Sequence, residues 1–403
     1  MRRDLRSFNG RAPIRLLMIA WAAGLWTHRL SAQENAAPAT LPGVEVKEWL
    51  IIVSAPNQAH ANSASAVVGS LPEGLDPLRL IAPGERSGEP CPVGVIRVAG
   101  HTDTKFSIRL ITPDDGVVYT TWPLAHVRSP NLVWPDLTLS ATPRRLKPAG
   151  DLQWLAPLRD SPAPYLTTAG RSEKFLLYDA EFPFFLPLTL EAGKGNPEPI
   201  RVRNRGDSTL HDVVLYRPPR DGKGWSNAQV PDVPPKRESG PFATAPVVPA
   251  EVEFTPVDGD PAKRLADDWK TRLARWELQQ PDVDLIVTTL RAYALDERQT
   301  TAVFTLDESE MERLLPMRIA PSPARVRRLG IVVARNIDPA LPAIIDALVL
   351  QLGDPDWHKR EAAGKALARF GQSANNRLRE ALHSADTEIA TRAERLLARN
   401  ASR

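Results

Sequence analysis

Cys91 is the only cysteine in 403 residues. A lone thiol excludes an internal disulfide and a thiolate metal cluster, so burial and hydrogen bonding must carry the stability. Cys91 stands in SGEPCPVG, among turn residues, with no histidine or helix start beside it to activate it, and reads as a bystander. Catalytic signatures are missing as well. There is no GxSxG elbow, no GxxxxGK phosphate loop and no GxGxxG turn. The seven histidines form no HExxH or HxxxH pair, and His101 with Asp103 supplies at most two of the three or four ligands that zinc needs. No cofactor, metal or catalytic residue is expected. Glycine is also sparse, 23 residues against 39 prolines, and the prolines fall mainly in the first two thirds, which disfavours long helices there.

Long apolar runs are absent beyond the N-terminus. Arg2, Arg3, Arg6, Arg11 and Arg15 precede the apolar stretch Leu16 to Trp26, and Leu30-Ser31-Ala32 offers a cleavage site. This is the pattern of a signal peptide over 1–32, and it implies export to the periplasm, cell envelope or exterior. The apolar stretch is shorter than the roughly 20 residues of a spanning helix, so no transmembrane span is expected after cleavage. The leader also carries the excess of positive charge. The chain has 51 Lys and Arg against 48 Asp and Glu; residues 1–32 hold six arginines and one aspartate, which leaves 45 against 47, a net of −2. A nucleic-acid partner is therefore not expected.

What remains divides by pattern. Residues 33–43 read as a linker, 44–170 as a β-rich domain and 171–225 as a second β segment. Residues 226–255 read as a Pro-rich linker, 256–337 as a small α+β module and 338–403 as helices. KFSIRLIT (105–112) alternates apolar and polar residues, as a half-solvated strand does. PIRVRNRGDSTLHDVVLYR (199–217) reads as a hairpin, with Ile200 and Val202 facing Leu210, Val213 and Leu215 across a turn at Asn204 to Ser208. In that turn, Arg205-Gly206-Asp207 is turn chemistry. The stretch resembles a strand pair of bacterial immunoglobulin-like modules. Leu265, Trp269, Leu273 and Trp276 share one helical face, a buried seam, and Pro281 is expected to end that helix. RLGIVVAR (328–335) is a continuous apolar strand.

The tail repeats itself. Leu348 to Arg369 maps onto Leu378 to Arg399 at a shift of 30, pairing Leu348 with Leu378, Leu352 with Leu382, Asp356 with Asp386, Ala363 with Ala393 and Leu367 with Leu397. A fixed period of this length marks stacked helical hairpins. The capping aspartates, the Ala-rich second helices and the closing Leu-Ala-Arg at 367–369 and 397–399 resemble HEAT repeats, in the short form of bacterial lyase-type HEAT proteins. The resemblance covers about 60 residues and implies a protein-binding role. On the second helices, His358, Lys365 and Arg369, with Arg392, Arg395 and Arg399, are the candidate partner-binding residues, a short basic ladder suited to an acidic partner segment; cations near helix C-termini are also favoured by the dipole alone. The expected fold is multi-domain, with a β-rich, sandwich-like N-terminal half, an α+β module and a HEAT-like helical pair. The expected function is a non-enzymatic scaffold of the bacterial cell envelope that docks another protein. The alternatives are an envelope-polymer hydrolase with a site assembled across the β domains, and a carbohydrate-binding module using Trp122, Trp134 and Trp154. The oligomeric state is left open.

Overall fold

The computed structural model describes residues 40–56, 64–68, 94–101, 103–113, 116–128, 131–143, 156–193, 199–219, 224–235 and 250–401. The signal peptide, residues 33–39 of the linker behind it, Cys91, Trp154 and residues 236–249 of the Pro-rich segment lie outside the described residues.

The strands in chain order are β1 (Thr40–Pro56), β2 (Ala64–Val68), β3 (Gly94–Ala99), β4 (Phe106–Ile111), β5 (Val117–Trp122), β6 (His126–Arg128) and β7 (Asn131–Ser140). After the short helix α1 (Ala156–Arg159) come β8 (Tyr165–Thr168), β9 (Arg171–Glu173), β10 (Leu176–Phe184), β11 (Leu188–Ala192), β12 (Ile200–Asn204), β13 (Leu210–Arg217), β14 (Ser226–Val233), β15 (Ala250–Val252) and β16 (Thr255–Pro256). Helices α2 (Pro261–Leu273) and α3 (Gln280–Ala294), strand β17 (Thr301–Leu306), helix α4 (Glu308–Leu314), and strands β18 (Met317–Ala320) and β19 (Ser322–Ala334) follow. The chain closes on α5 (Leu341–Gln351), α6 (Trp357–Phe370), α7 (Asn375–Ala381) and α8 (Thr387–Ala401).

One sheet organises the body, in the order β16-β14-β13-β17-β19-β1-β2-β10-β3, with β5 added on β10. β1 is long enough to pair twice on one side. Its first half takes β3, Glu45 to Leu50 against Ala99 to Gly94, and its second half takes β2, Val53 to Pro56 against Val67 to Ala64. β10 takes the same two strands from the far side. Two smaller sheets, β18-β4-β7-β8-β9 with β6 on β7, and β11-β12-β15, complete the strands.

Both faces of the large sheet are covered. Leu50, Ile52, Phe304, Val332 and Ala334 pack with residues of the smaller sheets, among them Ile108, Trp134 and Val202. Trp49, Ile51, Val303, Ile331 and Val333 pack against Leu265, Trp269, Ile286 and Leu290 of α2 and α3. Two-sided burial is why TAVFTL and the run from Leu329 read as continuous apolar segments rather than alternating ones.

This layering corrects the multi-domain expectation. β17 and β19, assigned by sequence to a separate α+β module, stand in the middle of the large sheet between β13 and β1. The β-rich half and the α+β segment therefore share one sheet, and Leu41–Arg403 form one compact unit. The expected hairpin is also replaced. β12 pairs β11 and β15, whereas β13 pairs β14 and β17. The Asn204 amide makes the corner, donating to Ser208 O at 2.7 Å and Val233 O at 2.9 Å while Gly206 N–H donates back to its Oδ1 at 2.8 Å. The supposed linker contributes β14. Its register skips Pro231 and Asp212, the latter at φ 53°, so the proline sits at an irregularity where its missing N–H breaks no ladder bond. Pro281 starts α3 rather than ending α2, as suits its lack of an N–H.

The four C-terminal helices enclose their own core, which includes Leu341, Ile345, Leu352, Leu367, Phe370, Leu378 and Ala393. Asp338 joins them to the sheet: its carboxylate accepts from Thr300 N–H at 2.5 Å and its carbonyl from Leu341 N–H at 2.9 Å. Asn336 Nδ2 reaches Phe370 O at 3.4 Å.

Candidate interaction surface on the helical tail

Each second helix of the tail starts from an aspartate cap. Asp356 Oδ1 accepts from His358 N–H, and Asp386 Oδ1 from Glu388 N–H, both at 2.8 Å. The caps fix where α6 and α8 begin, and the two helices pack side by side, so the candidate residues His358, Lys365 and Arg369 on α6 lie on the helix next to Arg392, Arg395 and Arg399 on α8. The structure does not leave them equivalent. Arg392 is 17% exposed and is held by Glu388 at 2.6 Å and Glu361 at 3.0 Å. Its hydrogen bond to Glu388, then that to Glu361, raises its pKa; the same bond to Arg392 lowers that of Glu388. Arg360 adds a contact to Glu388 at 3.5 Å. This part of the ladder is already neutralised. Lys365, Arg369, Arg395 and Arg399 are exposed.

The turn end of the hairpins carries a feature the sequence reading passed over. Leu350 is 72% exposed, Trp357 55% and Leu382 39%. Leu350 lies near the end of α5, off the stripe of Leu341, Ile345, Leu348 and Leu352 that faces the core. Trp357 opens α6, directly after its cap, with its ring edge-on to His358 at 5.0 Å between centroids. The two turns meet: a Cβ on Gly353 would come 2.5 Å from Asp386 Oδ2 and 2.9 Å from Ile389 Cγ1. The available signal was the helical stripe itself, since Leu350 falls outside it and Trp357 replaces the polar Thr387 of the second hairpin.

Elsewhere, buried polar groups are mostly bonded to one another. Arg97 bridges Asp282 at 3.1 Å and donates to Leu158 O, Ser161 Oγ and Lys174 O, and Trp49 Nε1 donates to Asp282 at 2.9 Å. Arg328 bonds Glu48 at 2.5 Å, and Tyr178 donates to the same carboxylate at 2.8 Å. Asp179 departs from that pattern. Burial, then the charge of Glu181 two residues on, pushes its carboxyl well above the ordinary aspartate range, and its Oδ1 finds no partner among the described residues. Trp122 and Trp134 are buried, with their indole N–H groups given to Glu173 and Pro123 O, so neither presents a stacking surface. Gly206 of the Arg-Gly-Asp sequence lies in the Asn204 corner.

Among the described residues, no helix is long and apolar enough to cross a membrane. No family model and no curated protein matches the chain. Among solved structures it is similar to the mu homology domain of Fcho1 from Danio rerio with a bound Eps15 peptide, at 8% identity and a TM-score of 0.34, over 74% of this chain and 97% of that one. It is also similar to the yeast delta-COP-I mu-homology domain complexed with a Dsl1 WxWxV peptide, at 10% identity and a TM-score of 0.27, over 73% and 96%.

Proposed function

We propose that this chain is an exported, non-enzymatic scaffold of the bacterial cell envelope that docks another protein through its C-terminal helices. The observation that carries the reading is the exposed pair Leu350 and Trp357 at the turn end of a helical array with its own core. Tryptophan on a surface is a frequent anchor of protein interfaces, because its large apolar area is gained at little cost in rotamer freedom. Exposed Lys365, Arg369, Arg395 and Arg399 supply a cationic flank suited to an acidic partner segment. Export rests on the leader. The test is in-cell crosslinking with the full chain and with Trp357→Ala/Leu350→Ser. A specific partner lost in the double variant supports docking by this end; a partner retained there but lost in Lys365→Gln/Arg369→Gln/Arg395→Gln/Arg399→Gln would move the site to the basic flank.

A further inference from the structure

The outward face of the β18-β4-β7-β6 strands carries a cluster of cations, of which only Arg318 is paired among the described residues. In register, Arg318 lies across from Arg109, Arg109 across from Val133, and Val133 across from His126. Two residues along, Ile111, Asn131 and Arg128 form a second row. The period of two places both rows on one face, while Phe106, Ile108, Leu110, Leu132 and Trp134 fill the core behind it. Arg318, Arg109, His126 and Arg128 are exposed, and Ile111, Asn131 and Val133 are half-buried between them. From Arg318 to His126 the first row spans about 14 Å at the usual strand spacing.

Among the described residues, acids do little to balance this face. Glu312 takes Arg318, and also Arg328 at 3.0 Å, so Arg318 is compensated within the fold. Asp136, exposed at φ 49° in the irregular part of β7, lies toward the Ser107 end. Among the described residues, Arg109, Arg128 and His126 make no ion pair and no side-chain hydrogen bond. Arg318, the register neighbour of Arg109, is already held by Glu312, so Arg109, Arg128 and His126 are the groups left to meet an anion.

We propose that this face binds an extended acidic segment of a partner protein. The segment sets carboxylates on Arg109 and Arg128, an acceptor on the His126 ring, and alternate apolar side chains on Ile111 and Val133. Half-buried apolar residues interleaved with cations match a chain whose acidic and apolar side chains alternate. They match a phosphate polymer less well, and the near balance of 51 basic and 48 acidic residues provides no broad positive field to gather one. The site is remote in sequence from the helical tail and does not depend on the reading given to it.

The test is fluorescence anisotropy on the full chain, with a short labelled peptide alternating glutamate and valine and a control alternating glutamine and valine. The glutamate peptide is expected to bind, the control not, and added salt to weaken the complex. Arg109→Gln/Arg128→Gln, both exposed and free of structural bonds, should lower affinity about five- to tenfold, with an unchanged thermal melt. Lys365→Gln/Arg395→Gln should leave affinity as it was. No binding by the full chain, or equal binding by the Arg109→Gln/Arg128→Gln variant, would overturn the proposal. So would preferential binding to phosphatidylglycerol vesicles lost in that same variant, which would assign the face to a membrane surface.

Discussion

At the scale of single residues, two buried carboxylates, Glu48 and Asp179, behave in opposite ways. Glu48 and Arg328 are both buried, and their ion pair is shared with Tyr178 and Glu312. Removing one partner from such a pair strands the other charge out of water. Glu48→Gln should therefore cost about 3 kcal/mol, read as a fall in the urea midpoint at constant slope; a loss within error would mean that Glu312 alone holds Arg328. Asp179 behaves in the opposite way. Its folded pKa is raised by burial and by Glu181. The stability tied to its neutral form is complete below the unfolded aspartate value near 4 and is lost as pH rises through the folded value. Asp179→Asn should be more stable than the parent at neutral pH, with the gap closing on acidification. Paired denaturation curves at several pH values decide this, and a gap independent of pH would show that Asp179 is ionised in the fold. Neither residue was legible in advance, because burial of a carboxylate depends on strands distant in sequence: Glu48 meets Arg328 across 280 positions.

Among the elements, the helices were the legible part and the strand partners were not. Caps are local. Asp307 accepts from Glu310 N–H at 2.8 Å, and Asp356 and Asp386 start their helices as their spacing suggested. Strand pairing is non-local, so a run such as RLGIVVAR reveals a doubly buried strand but not that its neighbours are β17 and β1. Pro231 misled for a related reason: its cost as a ladder member disappears at an irregularity the sequence does not mark. In the tail, the 30-residue register predicts an asymmetry in energy. Leu352 is fully buried and Leu382, its equivalent, is 39% exposed. Leu352→Ala should cost about 2–5 kcal/mol and Leu382→Ala less than half of that, measured by equilibrium unfolding. Similar losses at both positions would mean that the outer hairpin is covered in solution.

For the whole molecule, shared strands make the body fold together. Residues 44–255 lack β17 and β19, which stand between β13 and β1, so that fragment exposes the interior edges of a sheet and the apolar face that α2 and α3 cover. It should show no cooperative urea transition by circular dichroism, while the full chain does; a cooperative fragment would restore the separate β-rich domain that the sequence suggested. The helical tail has its own core and leaves Leu350 and Trp357 exposed.

That arrangement is tested most directly by crosslinking in envelope fractions, comparing the full chain with Trp357→Ala/Leu350→Ser. Both side chains are exposed, so the variant should keep parental stability within about 0.5 kcal/mol. The account predicts a specific crosslinked protein that disappears in the double variant and persists in Arg109→Gln/Arg128→Gln. An identical set of crosslinked proteins from all three chains would contradict docking through the tail.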